Sequence, residues 1–266
     1  MKKFITLMLT LLLALGVVIG ATGCKPGADD LAYVKERGKI IIGITDYQPM
    51  DYKEAGSDEW IGFDADLARM FAEELGVTCE FVELVDWDAK GVELKVKNID
   101  LVWNGMTAKE ELLKQMDFSV SYAKNAQVAV VKADSTITTK DQIKTAKVAV
   151  EKGSAGADVA EAEGITNLAA PGNQKLALME VLSGESEVAI VDITMAQSLA
   201  GKGDFANLKI VEGVSYGDEI FAVGLRRGSD LTPVLDAFLK AKYADGTMTQ
   251  LAEKYVVGLN TDALSK

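Results

Sequence analysis

The stretch GFDADLARMFAEELG, from Gly62 to Gly76, has the pattern of a helix. Its apolar residues recur every three or four positions, which places them on one face of an amphipathic helix. That face consists of Phe63, Leu67, Met70, Phe71 and Leu75. Gly76 follows the last of them and predicts the end of the helix, because glycine adopts a left-handed conformation without strain.

Short runs rich in β-branched residues flank this helix and predict strands at Lys39–Ile44 and Thr78–Val82. The same alternation of apolar runs and helical patterns continues to the end of the chain. Further strands are predicted at 100–103, 128–131, 147–150, 188–191, 208–211 and 220–225, and helices at 92–97, 173–182, 231–243 and 247–255. This order favours an α/β fold with mostly parallel sheets. Thr247 is predicted to cap the last helix, and Tyr122–Gln127 reads as a polar connector.

The composition excludes several classes of function. The 266 residues are 48% hydrophobic and 26% charged, which is typical of one large or two modest globular domains. There is no histidine, so Ser-His and Cys-His nucleophile pairs and imidazole metal ligands are excluded. An enzyme here would have to work with carboxylates, lysine or tyrosine. We expect no catalytic residue, no cofactor and no metal. The net charge of −12 argues against a nucleic-acid partner and is compatible with attraction of a cationic solute.

The first residues have the pattern of a bacterial lipoprotein signal. Lys2 and Lys3 precede an uncharged segment that ends in small residues before Cys24. We predict a signal peptide at 1–23 and a lipidated tether at 24–30, which anchors the protein to the outer face of the plasma membrane. A plain transmembrane helix is the alternative. With Cys24 lipidated, Cys79 is alone and is expected to be a buried, unreactive side chain.

Six short motifs, in order, resemble those of the family 3 solute-binding proteins, which deliver polar amino acids to ABC importers. They are Gly62–Ala68 (GFDADLA), Asn104–Thr107 (NGMT), Gln115–Ser119 (QMDFS), Lys152–Ser154 (KGS), Val191–Asp192 (VD) and Ala244–Thr247 (ADGT). The resemblance covers about residues 38 to 258, which is nearly the whole predicted mature chain.

This resemblance implies a two-lobe periplasmic-binding-protein fold, with the ligand between the lobes. Lobe one would comprise residues 31–124 plus 219–260, and lobe two residues 125–218. The two crossing segments would fall near Ala123–Gln127 and Tyr216–Glu219. In open α/β sheets the ligand lies at the carboxyl ends of the strands, which is where the motifs lie.

The resemblance also implies roles for individual residues. Asp192 follows an apolar run, and the family uses this aspartate for the ligand's α-ammonium; capping the next helix is the alternative. Ser154 could hold a carboxylate at a helix start or simply cap that helix. In the Asn104–Thr107 loop, Gly105 lets the backbone approach the ligand closely, and Thr107, next to Met106, offers a hydroxyl. Asn104 either contacts the ligand or forms hydrogen bonds within its own loop.

In the family, aromatic residues after the first strand pack against the ligand from both sides. Tyr47 and Tyr52 occupy this region and would favour a flat or cationic side chain, although ordinary packing explains them equally well. The family has an acidic residue in the same loop. Either Asp46 or Thr45 occupies its position in this chain. The sequence places no further carboxylate in the cleft.

Leu112 departs from the family. It occupies the position at which the family has an arginine that donates two parallel hydrogen bonds to the ligand's α-carboxylate. Leucine cannot donate such bonds. Lys109 could substitute if it shares a helical face with Leu112, the ligand could lack a carboxylate, or high-affinity binding could be lost. The resemblance implies a monomeric binding component of an ABC importer, with a permease and a small polar solute as partners. A changed ligand class or a dehydratase-like enzyme for cyclic acids is the alternative.

Overall fold

A computed structural model describes residues 29–266, so the predicted signal peptide and Cys24 lie outside the described residues. Two five-stranded sheets form the framework of this part of the chain. The strands are β1 (Lys39–Ile44), β2 (Thr78–Glu83), β3 (Leu101–Val102), β4 (Met116–Phe118), β5 (Ala123–Lys132), β6 (Val148–Ala149), β7 (Leu168–Ala169), β8 (Val188–Asp192), β9 (Leu208–Phe221) and β10 (Gly224–Arg226).

Each sheet belongs to one lobe. Lobe one holds the sheet β2-β1-β3-β10-β4, and lobe two holds the sheet β7-β6-β8-β5-β9. Only β10 in the first sheet and β5 in the second run antiparallel to their neighbours. The predicted two-lobe α/β fold is therefore confirmed. Each sheet is mixed, because one of its five strands runs opposite to the others.

Helices cover both sheets. They are α1 (Asp30–Arg37), α2 (Phe63–Leu75), α3 (Lys90–Lys95), α4 (Lys140–Thr145), α5 (Ala155–Ala162), α6 (Gln174–Ser183), α7 (Ile193–Leu199), α8 (Leu231–Ala244), α9 (Thr247–Tyr255) and α10 (Thr261–Leu264). The helix predicted from the opening motif is α2, and Gly76 ends it with φ 74°. Its apolar face is buried in the lobe-one core, where Phe71 contacts Trp103 and Phe238.

Some sequence predictions need correction. The strand predicted at 220–225 is two strands in different sheets, the end of β9 and the start of β10. The predicted connector Tyr122–Gln127 is largely the first half of β5, because its backbone pairs with β9. The helix predicted at 92–97 is α3, which begins two residues earlier. The side chain of Asp245, and not that of Thr247, accepts the hydrogen bond from the backbone N–H of Thr247 at the start of α9.

The crossings between the lobes form a two-stranded antiparallel ribbon. At the lobe-one end of β5 and β9, Ala123 pairs with Phe221 and Asn125 with Glu219. Gln127 lies further along β5 and pairs with Asp192 of β8. The ribbon thus carries polar side chains to the base of the region between the lobes.

No helix in residues 29–266 is long and apolar enough to span a membrane.

Cys79 lies half-buried against the lobe-one core. Burial raises the pKa of its thiol to about 12. The thiol is therefore protonated at neutral pH and is a weak nucleophile.

A buried arginine ties the described N-terminal helix to the first sheet. Arg226, in β10, binds Asp30 of α1 through Nε at 2.8 Å and Asp100 beside β3 through Nη2 at 2.9 Å. Its Nη1 also donates to the carbonyl oxygens of Leu94 and Ile99. Both carboxylates are almost completely buried, and Arg226 is the buried cation that they share. Arg37 also pairs with Asp100, and Lys97 lies 3.6 Å from Asp30.

Replacing this arginine is predicted to destabilise lobe one strongly. Arg226→Ala leaves Asp30 and Asp100 without their shared partner, and should lower the free energy of unfolding by about 3–5 kcal/mol. The exposed neighbour Arg227 is the matched control, and Arg227→Ala should change that free energy by less than about 0.5 kcal/mol. Urea denaturation followed by circular dichroism measures both, and equal effects of the two variants would contradict this assignment.

Candidate functional site

A cleft lies between the two lobes, with about 360 Å³ of empty space including its mouth. Side chains and backbone from both lobes line it. They are Tyr47, Trp87, Lys90, Asn104, Gly105, Met106, Thr107, Lys109 and Leu112 from lobe one, and Glu151, Gly153, Ser154, Ala155, Gln174 and Asp192 from lobe two. The enclosed part of this space is about 20 Å³, which is room for about one water molecule.

The loop after β3 is held by the motif that opens α2. Asp64 accepts hydrogen bonds from the backbone N–H of Gly105 at 2.6 Å and from the hydroxyl of Tyr122 at 2.8 Å. Gly105 has φ 53°, and a Cβ there would lie 2.7 Å from a Tyr47 ring carbon, so this position requires glycine. Burial raises the pKa of Asp64 to about 7.

Asn104 and Thr107 are used by the protein itself. The amide group of Asn104 binds Thr45 and also donates to Asp51 at 2.8 Å. The hydroxyl of Thr107 donates to Glu219 at 3.0 Å. The structure therefore favours the reading that Asn104 ties down its own loop.

Asp192 is the last residue of β8 and lies at the base of the cleft, where only 3% of its surface is exposed. Three carboxamides donate to its carboxylate: Asn125 and Gln127 from β5, and Gln174 from α6. Its side chain makes no capping hydrogen bond to α7. The hinge ribbon and lobe two thus orient this carboxylate together.

A second carboxylate lies beside Asp192. Glu219, from β9, accepts hydrogen bonds from the same Asn125 and Gln127 amide nitrogens, at 2.8 and 3.0 Å. Neither acid has a lysine or arginine within 4 Å in the described part of the chain. Burial and then the charge of Glu219 raise the pKa of Asp192 to about 7. Two adjacent carboxylates without a cation form a strong site for a bound ammonium group.

Leu112 is an apolar wall of the cleft. It is buried in a cluster that includes Trp87, Met106 and Met116. Lys109 does not share a helical face with it, because Lys109 immediately precedes the 3₁₀ helix Glu110–Lys114. Its ammonium instead forms an ion pair with Asp158 of lobe two. The hypothesis that Lys109 replaces the family arginine is therefore not supported by this geometry.

Among residues 29–266, the cation of the cleft without a carboxylate partner is Lys90, which sequence reasoning missed. It is 2% exposed and lies in the first turn of α3. Its Nζ donates to the carbonyl oxygen of Trp87 at 3.0 Å and lies 4.9 Å from the centre of the Trp87 ring. Burial lowers its pKa to about 8, and nearby Lys109 adds to the shift. Nothing in the helical pattern marked this residue, since the predicted helix began after it.

Glu151 corrects the expectation that the cleft holds no further carboxylate. It follows β6, lines the cleft and is only 3% exposed. Its position after an apolar run is the same signal that identified Asp192, so the sequence could have indicated it. Burial and then Asp192 raise the pKa of Glu151 to about 8, while Lys90 opposes the shift.

The two tyrosines that were predicted to pack against the ligand lie in different parts of the structure. Tyr47 is buried in the cleft, and its hydroxyl has no hydrogen-bond partner among the described residues. Burial and then Asp192 raise its pKa well above the usual value. Tyr52 lies elsewhere, in a surface hollow beside Tyr255, because its backbone pairs with Ile61. Tyr52 is therefore not among the residues that line the cleft, and the structure does not support the expectation that it contacts the ligand.

Ser154 is engaged in local structure. Its hydroxyl accepts a hydrogen bond from the backbone N–H of Ala157 at 3.2 Å, so it caps α5 as the alternative reading expected. Its own backbone N–H donates to the carbonyl oxygen of Glu151 at 3.2 Å. Both groups that were expected to hold a carboxylate are thus used within lobe two.

Ion pairs hold the two lobes together around the cleft. Asp46 binds Lys175 at 2.8 Å and Asp86 binds Lys152 at 3.0 Å, and the Lys109–Asp158 pair is the third. Asp46 therefore lies at the rim and not in the cleft. The structure describes a closed arrangement in which the described side chains bridge the lobes directly.

Removing these three lysines together is predicted to open the ligand-free protein. Such pairs contribute less than about 1 kcal/mol each, but all three act on the same closure. The variant Lys109→Ala, Lys152→Ala, Lys175→Ala should show a larger radius of gyration than the wild type by small-angle X-ray scattering.

A control triple variant removes three lysines whose ion pairs lie within one lobe: Lys39→Ala, Lys144→Ala, Lys254→Ala. It changes the net charge equally and should leave the radius unchanged. If both triple variants expand the protein alike, the effect comes from net charge and not from the inter-lobe pairs.

The buried acids predict that closure weakens as pH rises. In the closed cleft the pKa of Asp192 is about 7 and that of Glu151 about 8, whereas a solvated carboxyl titrates near 4. The closed form therefore binds more protons between these values, and its stabilisation is lost as pH rises toward 8. The pKa of Lys90 is lowered to about 8, so its loss of a proton favours the closed form as pH rises, but only above pH 8.

Scattering from the ligand-free protein between about pH 5 and pH 8 measures this effect. The radius of gyration should increase with pH, and the increase should be smaller in Glu151→Gln. A radius that is constant, or that decreases as pH rises, would contradict the assignment of these groups to the closed cleft.

Comparisons with known proteins agree with this architecture. The family model described as bacterial extracellular solute-binding proteins, family 3, matches residues 40–258. The arginine-binding extracellular protein ArtP of Bacillus subtilis is 29% identical, over 97% of this chain and 99% of its own length. The ABC transporter glutamine-binding protein GlnH of the same organism is 27% identical, over 96% of this chain and 98% of its own.

Among solved structures, an ancestral amino acid-binding protein, AncCDT-1, is similar over 85% of this chain and 98% of its own, at 30% identity and a TM-score of 0.77. It is described as a precursor of cyclohexadienyl dehydratase.

Proposed function

This chain belongs to the bacterial extracellular solute-binding proteins, family 3, and we propose that it captures an amino acid or an amino-acid-like solute between its two lobes for an ABC importer. The relatives reported above are named as amino-acid-binding proteins, one of them of an ABC transporter. The ligand would lie in the cleft, with its charged groups on side chains of both lobes.

The observation that carries this proposal is the uncompensated pair of carboxylates at the cleft base. Asp192 and Glu219 share amide donors but have no cationic partner among the described residues. An α-ammonium group has three donors and a full charge, so it fits two adjacent carboxylates. The unpartnered hydroxyl of Tyr47 adds one more polar contact on the same side.

Lys90 would take the place that Leu112 leaves open at the carboxylate end of the solute. In the described part of the chain, its ammonium donates to the carbonyl oxygens of Trp87 and, at 3.5 Å, Gly153, and to no carboxylate. Exchange of these neutral acceptors for a carboxylate gives a charge-assisted hydrogen bond. A lysine lacks the planar fork of arginine, so the carboxylate would be held by fewer directed bonds.

The arrangement explains how binding would close the protein. Lys90 belongs to lobe one, whereas Asp192 belongs to lobe two. A solute that binds both groups contacts both lobes only in the closed form, and this differential affinity shifts the population toward closure. The ribbon of β5 and β9 is where the rotation would take place.

The membrane-side steps are part of the same proposal. Lipidation of Cys24 and the tether at 24–30 would keep the protein near its permease, which raises the effective concentration of the closed form at that partner. The closed protein would act as a monomer and pass its solute to the permease without chemistry.

Calorimetric titration tests the binding site. Purified protein is unfolded and refolded to remove carried-over ligand, then titrated with the common amino acids and with agmatine and cadaverine, which lack the carboxylate. Asp192→Asn should weaken binding of every α-amino acid by about a hundredfold or more, since one carboxylate of the ammonium site is lost.

Lys90→Met should weaken binding of α-amino acids by about tenfold or more, but leave the affinity for decarboxylated amines unchanged. The exposed Lys114 provides the control, because Lys114→Met removes the same charge outside the cleft. Equal losses for amino acids and amines in Lys90→Met would contradict the assignment of Lys90 to the carboxylate.

An enzymatic role is the competing reading, and the buried acid Glu151 is the feature that would serve it as a general acid. Incubation with cyclic carboxylic acids, followed by chromatography of the products, tests for turnover. We expect none. Turnover that disappears in Glu151→Gln would place this chain with dehydratases and not with binding proteins.

A further inference from the structure

Glu151 is a buried carboxylate that the fold does not use. It follows β6 and precedes the turn at Gly153, and its side chain lines the cleft beside Gln174 and Asp192. Its Oε1 atom is buried without a hydrogen-bond partner in residues 29–266. A buried carboxylate normally costs free energy unless it is paired, so this group indicates a partner that is not part of the described chain.

The nearest cation does not satisfy Glu151. Lys90 influences it electrostatically but forms no ion pair with it within 4 Å, and donates to the Trp87 carbonyl oxygen instead. The other lysine of the cleft, Lys109, is paired with Asp158. Glu151 and Lys90 therefore face the cleft as two separate charged groups.

A simple amino acid would leave one acid of the cleft without a cationic partner. Among the described residues, the carboxyl groups of Asp192, Glu219 and Glu151 lie in or at the base of the cleft, and Lys90 is the lysine there without a carboxylate partner. One α-ammonium on the pair of Asp192 and Glu219, and one α-carboxylate on Lys90, would leave Glu151 without a cationic partner. A solute with one additional positive charge would compensate it.

We propose that Glu151 binds a second cationic group of the solute, a side-chain amine or guanidinium, so that the cleft selects dibasic amino acids over their neutral isosteres. This inference rests on the proposed function, because it takes Asp192 as the partner of the α-ammonium. Glu151 is then the residue that determines specificity, and the aromatic Tyr47 and Trp87 are walls that tolerate a cationic chain.

Matched pairs of ligands test the proposal by calorimetry on the refolded protein. L-arginine is compared with L-citrulline, and L-lysine with L-norleucine, because each pair differs mainly in the side-chain charge. In the wild type the cationic member of at least one pair should bind about tenfold or more tightly than its isostere. In Glu151→Gln this ratio should fall to near one, while the neutral isostere binds as well as before or better.

Two controls keep the result interpretable. Glu161→Gln removes the same charge from an exposed position on α5 and should preserve the wild-type ratio. The thermal midpoint of Glu151→Gln, followed by circular dichroism, should not fall, because the variant keeps the side-chain shape and removes a buried carboxyl.

Specific outcomes would overturn the inference. If the wild type prefers the neutral isosteres, or if Glu151→Gln weakens both members of a pair equally, Glu151 only compensates Lys90, and the proposed function stands without this specificity. If neither the α-amino acids nor the amines of the calorimetric panel bind to the wild type, the proposed function fails together with the inference.

Discussion

The burial of the Asp192 carboxylate is the constraint on which the rest of the structure depends. It lies at the end of a central strand of lobe two, yet two of the amides that stabilise it, from Asn125 and Gln127, belong to the strand that crosses between the lobes. Those same amides hold Glu219 on the second crossing strand, and Glu219 in turn accepts from Thr107 of lobe one. The ligand site and the hinge are therefore one hydrogen-bonded unit, and a cation bound there acts on both.

The environment of Leu112 is apolar. This residue, which the family resemblance aligns with an arginine, packs against Trp87 and Met106. A positive charge is nevertheless present in the cleft, on Lys90 of α3. Because that lysine is buried and has only carbonyl acceptors, its charge is available to a ligand in a way that the paired Lys109 is not.

Much of the fold could be predicted because its signals are local. The spacing of Phe63, Leu67 and Phe71 and the stop at Gly76 identify α2, and the residue after an apolar run located Asp192 at a strand end. The crossing ribbon could not be predicted from polarity, since Asn125 pairs with Glu219 and Gln127 with Asp192, which lie 94 and 65 residues away. Tyr52 was misplaced for a related reason, because its pairing with Ile61 turns it from the cleft. Glu151 could have been indicated in the same way as Asp192, since it also follows an apolar run. The burial that distinguishes Lys90 from surface lysines depends on both lobes and has no signature in a single sequence.

The central claim is that a solute bridges Lys90 of lobe one and Asp192 of lobe two. A crystal structure of the protein with an amino acid that binds in calorimetry tests it most directly. We expect the α-ammonium within about 3 Å of the Asp192 carboxylate and the α-carboxylate within about 3 Å of Lys90 Nζ. A ligand whose carboxylate is held elsewhere, with Lys90 still on the Trp87 carbonyl oxygen, would contradict it.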